Sequence, residues 1–166
     1  MASEIKVDTI VNAGGDNDTG IDLATNDQIL LKVANATKLT MNSTGQTTIV
    51  GEGGTTTTSV QQGLLKNWVN FDQRSTPSAR DSFNTASFTD QSTGKVYVNF
   101  TNNMGNDKFS VTTQGGRDVD YIIGCRQNEH ATNQYRITST NNPYGGASQS
   151  YVDTDSAFCQ CSGDLA

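Results

Sequence analysis

The sequence reads as an all-β protein: an extended N-terminal strand, a short intertwined trimeric β-stalk, and a C-terminal antiparallel β-sandwich head. Three observations predict this. Up to about residue 60, single apolar residues alternate with Thr, Asn and Asp in short runs separated by turn-formers. After Trp68, denser alternating runs recur at roughly ten-residue spacing with turn signals between them, as in an antiparallel sandwich. Nothing in the chain has helical period over a useful length. The implied divisions are an N-terminal attachment segment over 1–20, a stalk and joint over 21–60, and the head over 61–166.

Taken in order, Ser3 to Val11 alternate with one apolar edge carrying Ile5 and Val7, too little for a core, so this strand should be ordered by docking on something larger. The polar loop that follows holds Asp16, Asp18 and Asp22. Gly20 falls one place early for a calcium loop, and Asp27 stands where a bidentate Glu is needed, so turn chemistry is the better reading. Short strands are then expected around Ile21 and Leu23; Ile29, Leu31 and Val33; Leu39 and Met41; and Ile49 and Val50. Each has one apolar face and none could bury it alone. Three copies around an axis would cover them, which places Ile29, Leu31, Val33, Leu39 and Met41 at a trimer interface. Gly51 to Ser59 is a low-complexity joint.

In Gly63–Asp72 both faces of the predicted strand carry large apolar residues: Leu65, Val69 and Phe71 on one, Leu64 and Trp68 with Lys66 and Asn70 on the other. A strand apolar on both sides needs two partners. Leu64 and Trp68 therefore join the expected trimer interface, with a loop of the same domain as the alternative cover. Further strands are expected over Ser82–Thr89, Lys95–Thr101, Lys108–Gln114, Asp120–Arg126, Tyr135–Ser139 and Ser156–Ser162.

The 166 residues are 33% hydrophobic and only 17% charged, a deficit filled by neutral polar residues, unlike the high charge of disordered chains. Net charge is −6, with Lys and Arg scattered, so no basic patch suggests nucleic acid. No apolar h-region or long apolar run predicts secretion by signal peptide or membrane insertion. The three cysteines cannot all pair with one another. Cys125, Cys159 and Cys161 read as small buried hydrophobes; a zinc site with His130 would lack paired structural spacing.

No catalytic constellation emerges. His130 sits in a polar loop, and the pairs Asp118/Asp120 and Asp153/Asp155 lack the long repetitive scaffold expected of a sugar-cleaving spike. The Gly-Gly pairs open no helix, so no phosphate cradle is expected. The chain reads as a non-enzyme without cofactor. Binding residues concentrate on loops of rigid sandwiches, here Asn102–Asp107, Arg126–Asn133 and Asn141–Tyr151. In the last, Asn141, Asn142, Tyr144 and Tyr151 combine rings with amides, which suits stacking on a sugar.

Four stretches carry a resemblance: Ser3–Ile10; Ala36–Ile49, like the repeat "ERMRIDSTGNVGIGT"; Gln62–Phe71; and Arg80–Asn84 with Gly163–Ala166. In this order they resemble tail-fibre or virion-appendage proteins of bacteriophages, especially those of marine bacteria and cyanobacteria. The resemblance implies a structural virion protein, made in the bacterial cytoplasm and carried on the particle as a homotrimer. Its N-terminal segment, through Ile5, Val7 and Ile10, would dock on another virion protein of the tail, baseplate or capsid. Its head would contact the host surface, a cell-surface glycan being the expected receptor. The alternative within the same resemblance is a capsid or tail decoration protein without receptor binding.

Overall fold

In the computed structural model, residues 5–14, 18–51, 53–116, 121–141 and 150–164 are described. The chain divides into two units, Met1–Gly63 and Leu64–Ala166, each built of antiparallel strands.

The N-terminal unit is one six-stranded sheet of β1 (Thr9–Val11), β2 (Gly20–Asp22), β3 (Ile29–Val33), β4 (Ala36–Met41), β5 (Thr47–Val50) and β6 (Thr57–Ser59), in sequence order. Short turns enforce this meander. β3 and β4 are joined through Ala34 and Asn35, both at positive φ (52° and 58°), the two-residue hairpin geometry whose twist matches the strands. Between β4 and β5, Gly45 takes φ 78°, and the Asn42 side-chain oxygen accepts hydrogen bonds from the Gln46 amide and the Thr44 hydroxyl. A four-residue helical turn, Val60–Gly63 (α1), closes the unit. The stretch expected as a bare joint thus contributes β6, which pairs with β5.

The C-terminal unit is a two-sheet sandwich. One sheet has the order β12 (Tyr121–Cys125), β13 (Gln134–Asn141), β10 (Lys95–Phe100), β9 (Thr85–Ser92). The other runs β11 (Ser110–Gly115), β14 (Ala157–Ser162), β7 (Leu65–Asp72), β8 (Ser78–Phe83). Alternation along the strands sends Val96, Val98 and Phe100 of β10, Tyr135 and Ile137 of β13, Val69 and Phe71 of β7, and Ala157, Cys159 and Cys161 of β14 into one buried core. Phe71 stacks on Phe88 across the layers, with ring centroids 4.6 Å apart.

Two expectations are corrected here. Ser82–Thr89 is not one strand: Asn84 adopts φ 57° and breaks it, so β8 lies in one sheet and β9 in the other. The crossing is held by amides. Asn84 Nδ2 donates to Lys66 O and Asn102 O, and its Oδ1 accepts from the Asn102 amide. Leu65 does not share the inward face of Val69 and Phe71. A register shift in the β7–β14 pairing puts Ser162 opposite Leu65 while Cys161 faces Asn67, which turns Leu65 outward and leaves Asn67 on the inner face with Val69 and Phe71.

Asn67 is fully buried and fully engaged. Its Nδ2 donates to Phe83 O (2.9 Å), Asn84 O (3.2 Å) and Thr85 Oγ1 (2.9 Å), while Oδ1 accepts from the Tyr135 hydroxyl (2.9 Å). One side chain thereby ties β7, the β8–β9 crossing and β13 together. At the opposite margin, Ser139 Oγ donates to Gln73 Oε1, which also accepts from the Thr154 amide.

Candidate interaction surfaces

The strand pairing of the N-terminal unit sorts its residues by face. Ile10 stands opposite Ile21, Ile21 opposite Leu31, Leu31 opposite Leu39, and Leu39 opposite Ile49, a continuous apolar row across five strands. Directly opposed residues point to the same side. Ile29 and Met41 form a second row on that side, where they line a hollow of about 390 Å³ with Leu23. The reverse face carries the row Thr9, Asp22, Leu30, Thr40, Thr48 and Ser59, and Lys32 forms an ion pair with Asp22 there. Asp22, engaged by Lys32 and by the Ala24 amide, has its carboxyl held below the usual range. Asp16, invoked for calcium, lies outside the described residues.

The apolar face is uncovered within the unit. Ile10, Leu23, Ile29, Leu31, Val33, Met41 and Ile49 are each 37–54% exposed. At that exposure they present roughly 500 Å² of apolar surface, near the upper end of what a soluble monomer shows. Ile10, expected with Ile5 and Val7 on an attachment edge, lies in this row through its pairing with Ile21. Ile5 and Val7 precede β1 and are exposed.

Leu64 and Trp68 fall in the other unit. Trp68 is on the outer face of the β11-β14-β7-β8 sheet, 37% exposed, and Leu64 just before β7 is more so. Around Trp68, two rows cross the sheet: Thr112, Gln160, Trp68, Phe83 and Gln114, Phe158, Asn70, Asp81. Leu65 and Trp68 line one end of a shallow hollow of about 510 Å³ on this face.

Of the loop residues proposed for receptor contact, Asn142 and Tyr144 lie outside the described residues. Asn141 ends β13, where its amide donates to Ser150 O and its side-chain oxygen accepts from the Ser150 amide. Tyr151, half exposed, is bridged to Thr140, and the Lys95 ammonium sits 4.2 Å from its ring centroid. One face of that ring is therefore already engaged by a cation.

Cys125 lies beside His130, but among the described residues no group of three His, Cys, Asp or Glu side chains converges. Cys125 Sγ donates to Arg136 O (3.0 Å) and lies 3.3 Å from His130 Nε2. Desolvation pushes the Cys125 thiol up to about 11, and the buried Cys159 and Cys161 thiols up to about 12. Thiols raised in this way are protonated near neutral pH. The His130 ring stacks on Phe109, centroids 4.5 Å apart, which explains a loop histidine that is half-buried. Asp153 Oδ1 accepts the Gly94 amide and anchors the β9–β10 hairpin; Asp118 and Asp120 lie outside the described residues.

Comparison of the chain with protein-family models, with curated proteins and with solved structures returned no match.

Proposed function

We propose that the chain is a structural, non-enzymatic virion protein of bacteriophage tail-fibre type, acting as a homotrimer that carries its β-sandwich as the host-contacting head. The observation supporting this is the apolar row Ile10–Ile21–Leu31–Leu39–Ile49, which has no cover within its own sheet. A single exposed sheet face is poorly stable in water, and three copies turning these faces to a common axis remove it from solvent. Ile5 and Val7, ahead of β1, serve attachment to the particle, in keeping with the sequence resemblance.

Sedimentation equilibrium of the full chain tests the assembly. The expected mass is three times that of the 17.7 kDa chain, and Leu31→Asp, which sets a charge in the middle of the row, shifts it to monomer. A wild-type protein that sediments as a folded monomer at micromolar concentration overturns the reading.

A further inference from the structure

We propose that the outer face of the β11-β14-β7-β8 sheet is a binding site for a neutral oligosaccharide, with Trp68 as its stacking platform. The site goes beyond assembly, since all its parts come from one C-terminal unit. The pairing register builds a chequerboard there. Trp68 is flanked by Gln160 on the neighbouring strand and by Asn70 two residues along its own. Phe158 lies directly opposite Asn70 and has Gln114 on its other side. Each aromatic ring thus has side-chain amides beside it, on strands about 4.8 Å apart, a spacing comparable to the width of a pyranose ring.

The ligand class follows from what the hollow offers. Exposed rings favour the C–H face of a sugar, and primary amides both donate to and accept from its hydroxyls. Trp68 and Phe158 remain 37% and 42% exposed, open to contact. Asn70 also lines the hollow, and its Oδ1 is shielded from solvent and has no hydrogen-bond partner. Among the described residues no Lys or Arg lines the hollow, and Asp81, which does, repels anions. A neutral, polyhydroxylated ligand meets these conditions. A second copy of the chain fits less well, because an apolar partner surface would bury the amides of Gln114 and Gln160 without partners. That mixed face differs from the aliphatic rows of the N-terminal unit.

The test is titration of the full chain with maltohexaose and with chitohexaose as neutral probes, and with an oligogalacturonate as the acidic one. Binding is read by Trp68 emission, the protein having one tryptophan, and by calorimetry. The expected result is saturable binding of at least one neutral probe with a shifted Trp68 emission, and at least tenfold weaker binding of the acidic probe. Trp68→Ala, followed by calorimetry, weakens neutral-probe binding at least tenfold. Gln160→Ala weakens it severalfold. Both side chains are exposed, so circular dichroism is expected to show unchanged folding. Absence of saturation with both neutral probes overturns the proposal. So does a Trp68 emission that responds to protein dilution but not to sugar, which would assign the face to a second copy. A monomer in sedimentation that still binds sugar overturns the trimer reading alone.

Discussion

Replacing Asn67 by Ala is the sharpest probe of how this sandwich is held together. The substitution removes the two Nδ2 hydrogens shared among Phe83 O, Asn84 O and Thr85 Oγ1, and the acceptor of the Tyr135 hydroxyl. Tyr135 is fully buried, so its hydroxyl loses its strong acceptor and keeps only the Cys159 sulfur, a weak one. Orphaning a buried polar group costs about 1–3 kcal/mol. With the hydroxyl and at least one carbonyl stranded, the expected destabilisation is about 3–5 kcal/mol. At a urea dependence of roughly 1–3 kcal/mol per molar, the midpoint falls by about 2 M. The assay is urea unfolding followed by Trp68 emission, which reports on the same strand. Tyr135→Phe in the Asn67→Ala background removes the stranded donor, so Asn67→Ala should cost about 1–2 kcal/mol less there than in the wild type. A loss below about 1 kcal/mol in the single variant, or a cost unchanged by Tyr135→Phe, would refute the clasp.

Two further outcomes follow from the titratable groups. Desolvation lowers the His130 pKa, against an opposing hydrogen bond and charge from Asp107. The unfolded chain therefore takes up the proton first as pH falls below about 6.5. The urea midpoint should drop between pH 7 and pH 5.5, and His130→Gln should flatten that drop; the lowered carboxyls of Asp22, Asp72 and Asp107 lose their contribution only below about pH 4. An identical drop in both proteins removes His130 as its source. For the thiols, a disulfide-exchange reagent at pH 8 should label all three cysteines in denaturant, yet Cys159 and Cys161 only at the rate of unfolding in native protein, given thiols held at about 12. Rapid native labelling of either would contradict their place in the core.

The sequence by itself determined the strands and most of their faces. Period-two alternation is a local property: Val96, Val98 and Phe100 point one way on any extended strand, and Gly or Asn at turns announces the hairpins. The inward pairing of Cys159 and Cys161 was legible for the same reason. Only the tertiary structure decided where alternation slips and where the chain changes sheet. The register shift near Lys66 turns Leu65 off the face that alternation gives it with Asn67, Val69 and Phe71, and the buried Asn67 is tolerated there because two carbonyls, a threonine and a tyrosine hydroxyl from distant segments satisfy it. The break at Asn84 depends on carbonyls supplied by Lys66 and Asn102, each 18 residues away along the chain. The chequerboard around Trp68 likewise needs the register of three strands: β14 inserts between β11 and β7 although it is last in sequence. Which residues stand opposite one another is fixed by long-range pairing, and no local pattern encodes it.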